Sequence, residues 1–298
     1  MGDGRTLGSI TFRGFTHYGN PEDFTYDVVT GISAGSINAV QLMPYAVGDE
    51  VNATEQGSNL WKNLHTSDVW KDWYLTPLDG LLTKAGMVDN SPLLAFLENM
   101  IAPFDDFGRR VTVGTVNIND GTFHRFDQTN TAYPDMAKAA FSSASIPTVF
   151  PPYNWEGKGL FVDGGTATNI DVEDAITQCK DLVDDESDII IDVLLCGGAK
   201  STKEWESVGH MTTTNLLRAR SIRGPYHSGN AIADALAAHP KVNFRYVIGQ
   251  EGGFTSTGMI NFEGDHTWKL QEKGREQAQD ALNAGEGIHR ELLMNWVG

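Results

Sequence analysis

The chain has 298 residues, with 39 acidic against 22 basic side chains and a formal charge of −17. So acidic a balance leaves no basic footprint for nucleic acid, and it weakens electrostatic docking on anionic membranes without excluding lipid as a substrate. Hydrophobic residues at 40%, with Phe 14, Tyr 8 and Trp 7, mark a chain that buries a core rather than a disordered one.

Residues 1–11 are polar and Gly-rich, favour loop over helix, and lack the apolar stretch of a signal peptide. Residues 24–30, FTYDVVT, read as a short strand with a buried end. GISAGS follows, then INAVQLMPYAV with helical apolar spacing, so residues 31–36 sit where a strand turns into a helix. A helix is expected over 52–70, then a helix end and apolar loop in WKDWYLTPLDGLLTK, which is either a rim over an acyl pocket or ordinary core plus surface loop. Asn90-Ser91-Pro92 reads as a cap and proline start for the helix SPLLAFLENMI. RVTVGTVN at 110–117 is a strand, with a hairpin partner at 122–126 across Asn119-Asp120-Gly121.

An Ala-rich helix is expected over 133–145, ended by Pro147, Pro151 and Pro152. Leu160-Phe161-Val162 is a short strand and Asp163-Gly164-Gly165 the turn beyond it. A helix over 172–182, an acidic surface loop at 184–188 and a buried strand at 189–195 come next. A helix at 230–238, a strand at 244–248 and a polar helix at 271–294, interrupted near Gly285-Glu286-Gly287, complete the series. Strands alternating with helices predict an α/β fold with a mostly parallel central sheet, in a single domain over 1–298. The two cysteines, Cys179 and Cys196, make no disulfide framework, and no run approaches the roughly 18 apolar residues of a membrane helix. The expected location is the cytoplasm, with peripheral contact at a lipid surface left open.

Gly31-Ile32-Ser33-Ala34-Gly35 matches G-x-S-x-G. The chemistry needs that spacing: a serine on a sharp turn at a strand end exposes its oxygen, and the helix that follows offers unpaired N–H groups to a developing oxyanion. The bland alternative is a glycine turn whose Ser33 only caps the helix. A serine also needs a base. Of the eight histidines, His266 and His289 fall late enough in the chain for a serine-acid-histidine order, and His266 sits in the apparent loop NFEGDHTWKL. Asp163, at the end of the strand LFV and ahead of two glycines, is the better-placed candidate, since a carboxylate can itself act as base. Its bland reading is an Asp-Gly turn.

TYDVVTGISAGSINA resembles the nucleophile block of the patatin-like phospholipases. KAAFSSASIPTVFPP resembles the block before that family's second catalytic strand, and LFVDGG its Asp-Gly-Gly motif, in family order. The resemblance is clearest over 27–198. It implies a patatin-like three-layer fold and a Ser-Asp dyad without histidine, made of Ser33 and Asp163, with Gly31, Gly35, Gly164 and Gly165 as motif positions. It also implies an acyl-enzyme mechanism on fatty acyl esters of phospholipids, galactolipids or glycerides, as in a phospholipase A. No cofactor or metal is expected.

One departure stands out. The family carries a first strand and a Gly-rich oxyanion loop ahead of the nucleophile block, whereas here only 32 residues precede Ser33. Gly2-Asp3-Gly4-Arg5 is at best a degenerate fragment of that loop, so Gly4, Arg5 and Ala34 are the oxyanion candidates. Either the chain is a truncated product of a longer gene, or the loop is lost and activity weakened. A non-catalytic patatin-like protein that binds lipid or a protein partner is therefore kept as the alternative, beside a histidine-based α/β-hydrolase. Phe141, Ile146, Phe150 and Pro151 are read as core or acyl-channel residues, and Arg218, Arg220 and Arg223 as one local basic cluster.

Overall fold

The computed structural model describes residues 13–73, 84–195, 212–249 and 261–287, with the side chains of 212–223 and Pro225 outside that description. Gly4, Arg5, most of the 70–84 loop, Cys196, Gly197, Gly198 and His289 lie outside the described residues, as do the side chains of Arg218, Arg220 and Arg223.

The strands are β1 (Val28–Ile32), β2 (Arg110–Asn117), β3 (Phe123–Asp127), β4 (Tyr153–Trp155), β5 (Gly159–Asp163), β6 (Ile190–Leu195) and β7 (Asn243–Gly249). The helices are α1 (Ala34–Leu42), α2 (Glu50–Lys62), α3 (Thr66–Val69), α4 (Ser91–Ile101), α5 (Met136–Ser143), α6 (Val172–Lys180), α7 (Thr212–Ala238) and α8 (Gly264–Ala284), with a further helical turn at 13–18. The physical signals behind several of these are local. Pro92 stands in the first turn of α4, Asp89 Oδ1 accepts from the Ser91 amide at 2.9 Å, and Leu93, Leu97 and Ile101 follow at helical spacing as its buried face. α1 is buried all round except at Gly35, as a helix between a sheet and a further helical layer must be. α8 ends at Gly285, whose φ of 87° only glycine adopts without strain.

The mostly parallel sheet expected from the sequence is not what forms. A five-stranded sheet contains one parallel pair, β1 with β2, while β2–β3, β2–β5 and β4–β5 are antiparallel. Two tight reversals account for two of these three antiparallel pairs. Gly121 (φ 74°) turns β2 into β3, and Gly157 (φ 76°) turns β4 into β5, and a connection that short can only join antiparallel strands. Counting strand–helix alternation overlooked β4 and the direction in which α5 delivers the chain to β5. A separate parallel pair, β6 with β7, forms a second sheet.

The main core gathers α1, α4, α5 and the first sheet around Trp61, Phe150, Phe161 and Met136. A second cluster, with Ile176, Ile191, Ile232 and Phe244, lies between α6, α7 and the β6–β7 pair, and a third joins Phe15, Phe24 and Tyr246 to α8. Between the two sheets is a cavity of about 810 Å³. Residues 24–32 and 188–194 line it consecutively rather than alternately, which means that strand edges and not strand faces border it. The other edge of β1 is taken by β2 and that of β6 by β7, so among the described residues no strand bridges the two sheets.

Candidate active site

The site is built from two strand ends. β3 pairs with residues 112–116 of β2 along one edge. β1 pairs with 110–114 and must use the other edge, and β5 takes up that same edge at Thr115, one residue after β1 stops at Gly114. β1 runs parallel to β2 and β5 antiparallel, so their C-terminal ends meet head to head. Ile32 lies opposite Gly114, and Asp163 opposite Thr115. Ser33, the next residue after β1, is thereby delivered onto Asp163.

Ser33 has φ 57° and ψ −124°, one of two non-glycine residues with positive φ among the described residues. Such a conformation costs of order 1–3 kcal/mol and persists only where the surroundings enforce it. Its side chain makes no capping bond to α1, which disposes of the reading of Ser33 as a plain helix cap. Instead Ser33 Oγ donates to Asp163 Oδ2 at 2.6 Å. Asp163 is 4% exposed, and its other oxygen, Oδ1, accepts from the Gly165 amide at 2.7 Å. The carboxylate is thus oriented from one side by the turn that follows it and presents its second oxygen to the serine hydroxyl.

Two of the glycines are there because chains pass too close for a side chain. A Cβ on Gly31 would lie 2.2 Å from the Gly35 carbonyl oxygen, and one on Gly164 would lie 2.3 Å from the Gly114 carbonyl oxygen. Gly35 is different, since a Cβ there would meet nothing within 4 Å. A Cβ on Gly165 would press on Asn169 Oδ1 and Asp163 Oδ1 at 2.7 and 3.0 Å. Ala34 opens α1, so its amide belongs to the first turn, where N–H groups have no intrahelical acceptor. The Ser33 amide is committed elsewhere, donating to Ser143 Oγ at 2.8 Å.

His266 is not in a loop. It falls in the first turn of α8, a helix that packs against α2, and the Ser33 hydroxyl bonds a carboxylate directly with no imidazole between them. Phe141, Ile146 and Phe150 are buried members of the main core. Sequence reasoning did not single out Gly114, Ser143 and Ser145. A lone glycine inside the strand RVTVGTVN was a usable sign of close backbone approach, and three serines inside an otherwise apolar block were a sign of buried hydroxyl bonding.

The sequence matches the family model described as patatin-like phospholipase over residues 8–176, more than half of the chain. No curated protein sequence matches it. Among solved structures it is similar to VipD from Legionella pneumophila, at 11% identity and a TM-score of 0.40, over 96% of this chain and 66% of that one. The chain thus spans just under two thirds of the length of VipD, and a likeness at that level carries no argument about activity.

Proposed function

From the premise that this chain belongs to the patatin-like phospholipase family, a family of hydrolases acting on lipid acyl substrates, we propose that it cleaves fatty acyl esters of phospholipids or glycerolipids through a Ser33–Asp163 dyad. The observation that carries this reading is the 2.6 Å hydrogen bond from Ser33 Oγ to Asp163 Oδ2 at the meeting point of two strand ends. Ser33 Oγ attacks the ester carbonyl carbon while Asp163 Oδ2 takes its proton. The tetrahedral intermediate collapses, the ester C–O bond breaks, and Asp163 returns the proton to the departing alkoxide, releasing lyso-lipid or alcohol. Water then gives a proton to Asp163 as it attacks the acyl-enzyme, and Ser33 leaves with a proton as the fatty acid is freed.

The oxyanion is assigned first to the Ala34 amide, because the Ser33 amide is held by Ser143. Further donors from Gly4 and Arg5 remain part of the proposal. No described helix is long and apolar enough to cross a membrane, and the proposal places the protein in the cytoplasm, working at the surface of lipid aggregates.

Hydrolysis of a medium-chain p-nitrophenyl ester and of a phospholipid by the wild-type chain, beside Ser33→Ala and Asp163→Ala, tests this. Both substitutions should lower kcat by roughly a thousandfold or more. Folded wild-type protein that is inert on all of these esters would instead support the non-catalytic, lipid- or protein-binding alternative.

A further inference from the structure

The two residues of the pair are held from behind by one short segment, Ser143-Ala144-Ser145, at the C-terminal end of α5. All three residues are buried, the two serines completely. Ser143 Oγ accepts from the Ser33 amide at 2.8 Å and donates to the Gly114 carbonyl at 2.6 Å. Two residues further on, the Ser145 carbonyl accepts from the Asp163 amide at 2.9 Å. Ser145 is fixed in turn, donating its hydroxyl to the Phe141 carbonyl at 2.9 Å.

Gly114 is the β2 residue opposite Ile32, and Thr115, next to it, is opposite Asp163. A single buried hydroxyl therefore ties the strained Ser33 backbone to the strand that also registers Asp163. A hydroxyl can do this because it donates and accepts at once. An alanine at the same place would leave the part-buried Ser33 N–H and the buried Gly114 C=O without this partner.

We propose that Ser143 is a positioning residue for the ester hydrolysis. Its hydroxyl holds the Ser33 main chain in the conformation that points Oγ at Asp163, and reserves the oxyanion role for amides other than that of Ser33. This rests on the Ser33–Asp163 reading of the function. It goes beyond that reading in assigning a role to a residue whose hydroxyl bonds the Ser33 amide and the Gly114 carbonyl.

Ser142 supplies an internal control. It is equally buried and one residue away, but its hydroxyl turns back to the Lys138 carbonyl at 2.8 Å, inside its own helix. The experiment compares wild type, Ser143→Ala and Ser142→Ala in kcat and KM on a p-nitrophenyl ester, in thermal midpoint, and in hydrogen exchange of the Ser33 amide. Ser143→Ala should lower kcat about tenfold to a hundredfold with KM within about twofold, the scale expected when a nucleophile is misplaced rather than removed. Its Ser33 amide should exchange faster, while Ser142→Ala matches wild type in both readouts.

Wild-type kcat in Ser143→Ala, or a fall in activity that both alanine variants share in proportion to lost thermal stability, overturns the proposal. If the wild-type chain hydrolyses no ester, the functional reading fails separately. The exchange comparison still decides whether Ser143 holds the Ser33 backbone: an unchanged exchange rate in Ser143→Ala overturns the brace whatever the activity.

Discussion

Two aspartates in this molecule with buried carboxylates each accept a hydrogen bond from a hydroxyl, and the rest of their surroundings separates them. On the β1–β5 sheet, Asp163 takes the Ser33 hydroxyl at 2.6 Å and the Gly165 amide at 2.7 Å. On the β6–β7 sheet, Asp192 takes the Tyr26 hydroxyl at 2.7 Å and the guanidinium of Arg245 through Nε at 3.1 Å and through Nη2. Arg245 also donates to the Asp23 carbonyl at 2.6 Å, so the Asp192 cluster fastens the loop ahead of β1 to both strands of the second sheet. Burial, then the neighbouring Asp192 charge, pushes the Tyr26 phenol well above its usual range, so it remains a donor through neutral pH. An arginine and an aromatic hydroxyl make a structural rivet. A strained aliphatic hydroxyl at a strand end makes the pair proposed as the catalytic dyad.

The comparison is sharpest with an isosteric change at each aspartate. Asp163→Asn should abolish ester hydrolysis, by roughly a thousandfold or more, while the urea midpoint shows a loss of only about 1 kcal/mol. Asp192→Asn leaves Arg245, whose side chain is 7% exposed, without its countercharge, and should cost about 3–5 kcal/mol in the same denaturation. Activity per folded molecule should be retained in Asp192→Asn. The contrast breaks if Asp163→Asn proves the more destabilising of the two.

Next in size is the effect of adding one methyl group around Ser33. Gly31→Ala forces a Cβ against the Gly35 carbonyl and should cost about 1–3 kcal/mol together with most of the activity. Gly35→Ala has room and should fold as wild type. Equal thermal midpoints for the two variants would show that the elbow is looser than its geometry indicates.

The smallest expected effect concerns the cavity between the sheets. Cys179 lines it, and burial, then the charge of Asp27, pushes its thiol from an ordinary 9.0 up to about 11. A group whose folded value is raised contributes stability that is full below about pH 9 and is lost as the pH climbs through about 11. The thiolate is the reactive form, so alkylation of Cys179 at pH 8, followed on its own peptide, should be at least about tenfold slower than in the urea-unfolded chain. Equal rates would mean that the cavity wall around Cys179 is open.

Much of the site was legible in the chain itself. G-x-S-x-G after an apolar run and Asp-Gly-Gly after LFV are short-range patterns, set by what a sharp turn and a strand end demand of neighbouring residues, and Ser33 and Asp163 were readable from them. So were α4, bounded by Asn90-Ser91-Pro92, and β2, whose Val- and Thr-rich run suits a buried strand. The direction of β5 was not legible, nor was the placement of His266 in a helix rather than a loop. Strand direction depends on which edge is vacant when the chain returns. The start of α8 depends on its packing, where the backbone at Gly264 comes close to the Lys62 carbonyl oxygen.

The sequence alone therefore determined the two residues of the candidate dyad and the turns that carry them, because turn chemistry acts over a few neighbours. Only the tertiary structure decided that they meet. Ser33 and Asp163 are 130 residues apart, and what joins them is the shared edge of β2, where a parallel and an antiparallel strand stop one residue apart. Only the tertiary structure, too, gave Ser143 its place behind them, since the bonds of its buried hydroxyl depend on which backbone groups the fold leaves within reach.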